Sequence, residues 1–219
     1  PWAPEDGGAP GTVANALPYT LEWAPFPVND VVTGRDTYDF TKVDALLDAI
    51  ASRGHQAVIR FTLDTPGKKT GMPQYLIDAG TDTSRTYDFY DNNKISFSPN
   101  YNDPKVQEML LHFVAALGDR YDGDPRIGFI TAGLYGFWGE EHTYPYSGYV
   151  NNQNPKAINW MPSDEFRARL VEAWDEALTT PSSRTATPPL PRRLTAWATT
   201  MIPSATRPWR GPAGTSSPS

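Results

Sequence analysis

Cysteine is absent from the 219 residues. Its absence removes disulfides, thiolate metal sites and cysteine nucleophiles, and it leaves the compartment open, the extracellular space included. Histidine is scarce. His55, His112 and His142 are too scattered for a zinc site. No H-E-x-x-H spacing occurs, so neither a metal nor another cofactor is expected. No apolar run approaches the ~18 residues that a membrane-spanning helix needs. No G-x-G-x-x-G or G-x-x-x-x-G-K-[ST] follows a strand-like segment, which removes the phosphate-cradling loops.

Acidic residues stop at Glu176, whereas Arg184, Arg192, Arg193, Arg207 and Arg210 follow it. With those five cations set aside, the net charge of −6 becomes −11 for residues 1–176. Phosphate contacts need clustered Lys and Arg, so this acidic body argues against nucleic acid as a partner. The oligomeric state is left open. Seven Trp and 11 Tyr suit a protein that stacks rings against a flat ligand such as a sugar, although the core is the commoner destination for any single ring. The chain opens at Pro1 without a signal-like segment, as a processed or trimmed product would.

Three regions emerge. Residues 1–17 are rich in Pro, Gly and Ala and read as a lead-in loop. Residues 18–180 carry the periodic segments. "YTLEWAPF" (19–26) reads as a strand stopped by Pro25 and Pro27. "DFTKVDALLDAIASRG" (39–54) reads as a helix with Val43, Leu46, Leu47 and Ile50 on one stripe and Gly54 as its stop. "QAVIRFTL" (56–63) is a buried strand. A long polar connection, 64–103, follows, with a short helix in "MPQYLIDAG". "DPKVQEMLLHFVAALGDRY" (103–121) is the strongest helix, with Asp103 as N-cap and Pro104 at the first position. "RIGFITAGLYGF" (126–137) is the next strand, and Ser163 caps a helix over 163–180.

Continuous apolar strands, long connections after strands and short connections after helices predict an α/β protein. The asymmetry is that of the N-terminal part of a (β/α)8 barrel, whose site is built from the βα loops. Residues 181–219 hold eight of the 22 prolines and no acid, and their composition reads as a disordered tail. "WATTMIPS" (197–204), reverse-translated and read two nucleotides on, permits Gly-Tyr-His-Asp-Asp-Ser-Phe. That string suits an active-site strand, so the tail is read as an out-of-frame continuation of the barrel.

Polar residues at strand ends are the candidate chemistry. The first strand offers Glu22 and Trp23, with Asn29 after it. The second offers Arg60 and Asp64, and the third Tyr135, Trp138, Glu140, Glu141, His142 and, beyond it, Tyr144. Glycoside hydrolysis needs two carboxyl groups, one of them a proton donor kept protonated by apolar neighbours. Phe137 and Trp138 make Glu140 the candidate general acid/base, with Glu141 and His142 beside it. Solvated surface glutamates are the alternative. Arg60, inside a buried strand, requires a carboxylate partner, either Glu22 or Glu140. Trp23, Tyr135, Trp138 and Tyr144 are candidate stacking platforms for a carbohydrate ligand.

"EWAPFPVNDVVTGRDTYDFTKVDALLDAIASRGHQAVIRFTLDTPG" resembles the opening of β-galactosidase-like TIM-barrel glycoside hydrolases. Together with "LGDRYDGDPRIGFITAGLYGFWGEEHTYPY" it resembles more closely the DUF4832-type bacterial family of uncharacterised, glycoside-hydrolase-like barrels. The resemblance covers about residues 15–178. It implies that Arg60 matches the strand arginine of the retaining-glycosidase clan and that Glu140 stands at the acid/base position. The clan carries Asn-Glu there, whereas this chain has Gly139–Glu140. The clan's nucleophile follows strand seven, outside the in-frame residues. A glycoside hydrolase acting on a poly- or oligosaccharide is thus the expected activity. A non-catalytic carbohydrate-binding barrel and an inactive truncated fragment are the alternatives.

Resequencing the gene tests the tail. A single indel near codon 180 should restore a long globular frame; finding none would refute the frame shift.

Overall fold

A computed structural model describes residues 19–88, 95–152 and 154–179. The expected lead-in (1–17) and tail (181–219) lie outside the described residues, as does the unit formed by Thr187–Ser219.

The first strand, β1 (Leu21–Pro27), leads through a 3-10 turn at Val28–Asp30 and a small hairpin, β2 (Val32–Gly34) with β3 (Thr37–Tyr38), into α1 (Thr41–Ser52). β4 (Gln56–Thr62) follows, then α2 (Gln74–Asp78), a second hairpin of β5 (Thr86–Tyr87) and β6 (Ser96–Phe97), α3 (Pro104–Tyr121), β7 (Ile127–Thr131) and α4 (Asp164–Ala177). β1, β4 and β7 form a parallel sheet in chain order. The structure is therefore mixed α/β, with a three-stranded parallel sheet among the described residues.

Local signals account for the helices. Asp103 accepts the Lys105 N–H at 2.9 Å with Pro104 at the first position. Ser163 accepts the Phe166 N–H at 3.2 Å. α1 closes as Arg53 N–H and Gly54 N–H reach back to Ile50 O and Ala51 O, with Gly54 at φ +76°. Val43, Leu47 and Ile50 are fully buried, while Leu46 covers the core edge.

Two strand expectations are corrected. Pro25 does not stop β1, which runs through it and ends at Pro27. Among the described residues β1 is an edge strand, where the missing proline N–H leaves no ladder on its outer side incomplete. β7 ends at Thr131, not at 137. Leu134 (φ +89°) and Gly136 (φ +77°) turn the backbone left-handed, so "AGLYGF" is apolar but not extended.

The sheet is one-sided. Ala24 and Phe26 of β1 and Ala57, Ile59 and Phe61 of β4 share one core with residues of α1, α3 and α4. The register places Trp23 and Pro25 beside Val58 and Arg60, and these beside Phe129 and Thr131, on the opposite face. That face is open: Phe129 is 60% exposed and Leu21 36%.

Glu22 alternates with Ala24 and Phe26, so it faces the helices at the N-terminal end of the sheet. It is completely buried. It accepts Arg53 Nε at 2.9 Å and Nη2 at 2.6 Å, and pairs with His55 Nδ1 at 2.7 Å. Burial alone would raise its carboxyl, but the hydrogen bonds and charges of Arg53 and His55 outweigh burial and hold it below the usual range. The stability this contributes is present above about pH 4.5 and is lost as the pH falls through the depressed value. Glu22→Gln should cost roughly 3–5 kcal/mol near neutrality, because it breaks a buried pair, and should flatten the acid limb of stability against pH. Urea unfolding across pH 3–7 measures both effects; an unchanged acid limb would refute the assignment.

Candidate functional site

The site lies where β4 and β7 run out. Beyond Thr62, β4 continues through Leu63 to Asp64, which forms a parallel bridge to Phe137. The Trp138 N–H donates to Asp64 O at 2.8 Å. After its left-handed excursion the segment that follows β7 thus returns to pair with the extension of β4. The return is tight. A Cβ on Gly133 would stand 2.6 Å from Gly139 O, and one on Gly136 2.6 Å from His142 N. Gly139 adopts φ +68°, and Trp138 and Glu141 adopt φ +53° and +59° without being glycine. Such backbone persists only where its surroundings over-determine it.

Those surroundings are aromatic. Phe137, Tyr87, Tyr146 and Trp160 form a second buried cluster with Trp138 at its margin. Tyr146 and Trp160 stack at 5.5 Å, and Tyr87 lies 4.8 Å from Phe137. The Tyr101 hydroxyl, also buried, accepts the Gly136 N–H at 3.0 Å.

Arg60 decides between its two expected partners: Nη1 donates to Glu140 Oε1 at 3.0 Å and to Trp138 O at 3.3 Å. Nε donates to Thr131 Oγ1 at 3.0 Å, and the guanidinium lies 4.7 Å over the Trp23 ring. The Glu140 side chain is about half exposed, and its Oε2 stands 3.8 Å from His142 Nε2. Arg60, Glu140, His142, Trp23 and Trp138 therefore form one constellation at the C-terminal end of the sheet.

The other candidates lie elsewhere. Glu22 is corrected to the far end of β1, because the strand starts at Leu21 and places residue 22 beside the α1 exit. Asn29 is exposed, and its Nδ2 donates to Thr70 O at 3.2 Å, bracing the loop after β4. Tyr135 is buried, its ring edge-on to Tyr101 at 6.3 Å, so it is no open platform. Burial, then the charge of nearby Glu141, raise its phenol. Tyr144 is highly exposed and meets Tyr149 edge-on at 6.0 Å.

Asp64 is 1% exposed. Its Oδ1 accepts the Tyr87 hydroxyl, while Oδ2 has no hydrogen-bond partner. Burial pushes its carboxyl up to about 7, opposed in part by Tyr87 and by nearby Ser98. The Ser98 Oγ itself makes no hydrogen bond, so burial dominates. The desolvated carboxyl at this end of the sheet is thus Asp64, whereas Phe137 is buried in the aromatic cluster. Tyr87, Tyr101 and Trp160 escaped sequence reasoning. They stand in polar connections, and only long-range contacts reveal their part.

No protein-family model matches the chain, and no curated protein matches it. Among the described residues no group of His, Asp and Glu is arranged to hold a metal ion, and no helix is long and apolar enough to cross a membrane.

Gly136→Ala should lower stability by at least roughly 2 kcal/mol, since it adds a Cβ into His142 backbone at a left-handed φ. Equilibrium denaturation checks this; a loss under about 0.5 kcal/mol would mean that the loop yields freely.

Proposed function

We propose that the chain is the N-terminal part of a glycoside-hydrolase-like (β/α)8 barrel that acts on a poly- or oligosaccharide, with Glu140 as general acid/base. The observation that carries this reading is the constellation of Arg60, Glu140 and Trp23. It sets a half-exposed carboxylate beside an indole at the C-terminal end of a singly wound parallel sheet. In a barrel that end is the mouth, and carboxyl and aromatic groups there meet substrate. A sugar ring offers a C–H face to an indole and hydroxyls to a carboxylate. Trp138 and the exposed Tyr144 extend the apolar surface, and His142 supplies a second polar group beside Glu140.

A specific observation also favours the non-catalytic carbohydrate-binding reading. Hydrolysis needs a second carboxyl across the sugar bond, and the neighbouring ones are occupied. Asp64 is sealed beneath the loop, and Asp30 bonds Lys42 at 2.8 Å. The second carboxyl of the enzyme reading would come from barrel strands beyond those described.

A glycan array and an aryl-glycoside panel on the frame-restored protein separate these readings. Glu140→Gln should lower kcat/KM at least roughly 100-fold while glycan affinity is kept. Binding without turnover in the parent protein selects the binding module. Binding of no glycan refutes both.

A further inference from the structure

We propose that Asp64 is a positioning residue for Glu140, and that the proton on its carboxyl controls how tightly the segment 134–143 is held. Asp64 grips that segment twice. Its backbone carbonyl accepts the Trp138 N–H, and its carboxyl holds Tyr87, whose ring packs on Phe137 and Tyr146. Glu140 follows Trp138 by two residues. The inference leans on the proposed function only for the importance of Glu140; the loop behaves the same whatever ligand the mouth takes.

The surroundings suit a neutral acid and oppose its anion. From β5, Tyr87 donates one hydrogen bond. From the segment before α3 comes Tyr101, whose phenol is raised well above its ordinary value by burial and by the charge of Asp64. Ser96 of β6 and Ser98 are neutral. Arg85 spends its guanidinium on Pro99 O at 3.4 Å and Asn100 Oδ1 at 3.0 Å. Among the described residues no cation forms an ion pair with Asp64. Ionisation leaves a buried negative charge with one hydrogen bond and an unpartnered oxygen, and opening the loop to water relieves it.

The sign follows from a carboxyl whose value is raised in the closed form. The closed loop is fully favoured below about pH 4, the range of an ordinary Asp, and its advantage is lost progressively as the pH rises to about 7. Above that both forms are ionised and the preference is flat.

Amide hydrogen exchange of residues 134–143, divided by intrinsic rates, reads the opening equilibrium directly. In the parent protein the opening constant should rise by roughly tenfold per pH unit from about pH 4 to about pH 7 and then level, as release of one proton requires. Asp64→Asn keeps an acceptor for Tyr87 and cannot ionise, so its profile should be flat. Imidazole is the other side-chain type that changes charge near neutrality, and His142 lies on the same segment. The His142→Gln profile should match the parent. Where Asp64→Asn fails to fold, the Asp64 carboxyl is titrated by carbon NMR in the parent; its midpoint should coincide with the levelling of the exchange profile. A flat parent profile, a sloped Asp64→Asn profile, a loss of the slope in His142→Gln, or an Asp64 midpoint away from the break would each overturn the proposal. Loss of glycan binding with this profile intact would count against the proposed function alone.

Discussion

A guanidinium in the middle of β4 is the constraint around which the site is arranged. A guanidinium is a cation with five N–H donors, and the Arg60 side chain is only 20% exposed, so it must find acceptors within the protein. No single neighbour satisfies it. It takes a hydroxyl from β7, a backbone carbonyl and a carboxylate from the loop beyond, and its face is covered by the indole of β1. One side chain thereby ties all three strands to the segment that carries Glu140. The ordering of that segment costs conformational entropy, which the aromatic cluster around Tyr87 offsets from the other side.

Much of this was legible from the residues. The helices were, because their stripes, caps and stop glycine act within one or two turns. That Arg60 needed Glu22 or Glu140 was also legible, because a charge inside an apolar run has few solutions. Choosing between them required two facts that no local pattern holds: where β1 begins, and which of its faces meets the helices. The loop after β7 was the least legible part. Its residues are as apolar as a strand, and its glycines only hint at left-handed turns, while Leu134, Trp138 and Glu141 adopt them without that hint. The aromatic cluster joins residues from 87 to 160, a separation beyond any periodicity.

The one-sided sheet follows from the strand order. Strands laid down in chain sequence with every helix on the same side make a singly wound sheet, whereas a doubly wound one reverses direction to cover both faces. The face that bears Trp23, Arg60 and Phe129 is the one turned away from the helices, and Phe129 on it is exposed. Arg60 lies on that same face, beside Thr131 of β7 and beneath the Trp23 ring.

The two ends of the loop are held by opposite kinds of chemistry. At Glu140 a half-exposed carboxylate meets the Arg60 guanidinium at 3.0 Å, at the edge of the solvent. At Asp64 a carboxyl meets neutral hydroxyls in a dry pocket, so its grip depends on a proton. Had Arg60 been paired with Asp64 instead, the loop would be fastened once and Glu140 would face solvent alone. The cation is spent on the outer carboxylate, and among the described residues the inner one has none, so the segment that carries Glu140 is tied at one contact by charge and at the other by a proton. A change at Asp64 reaches Glu140 through Trp138, which is held at a left-handed φ without being glycine, and Gly139, so the path is short.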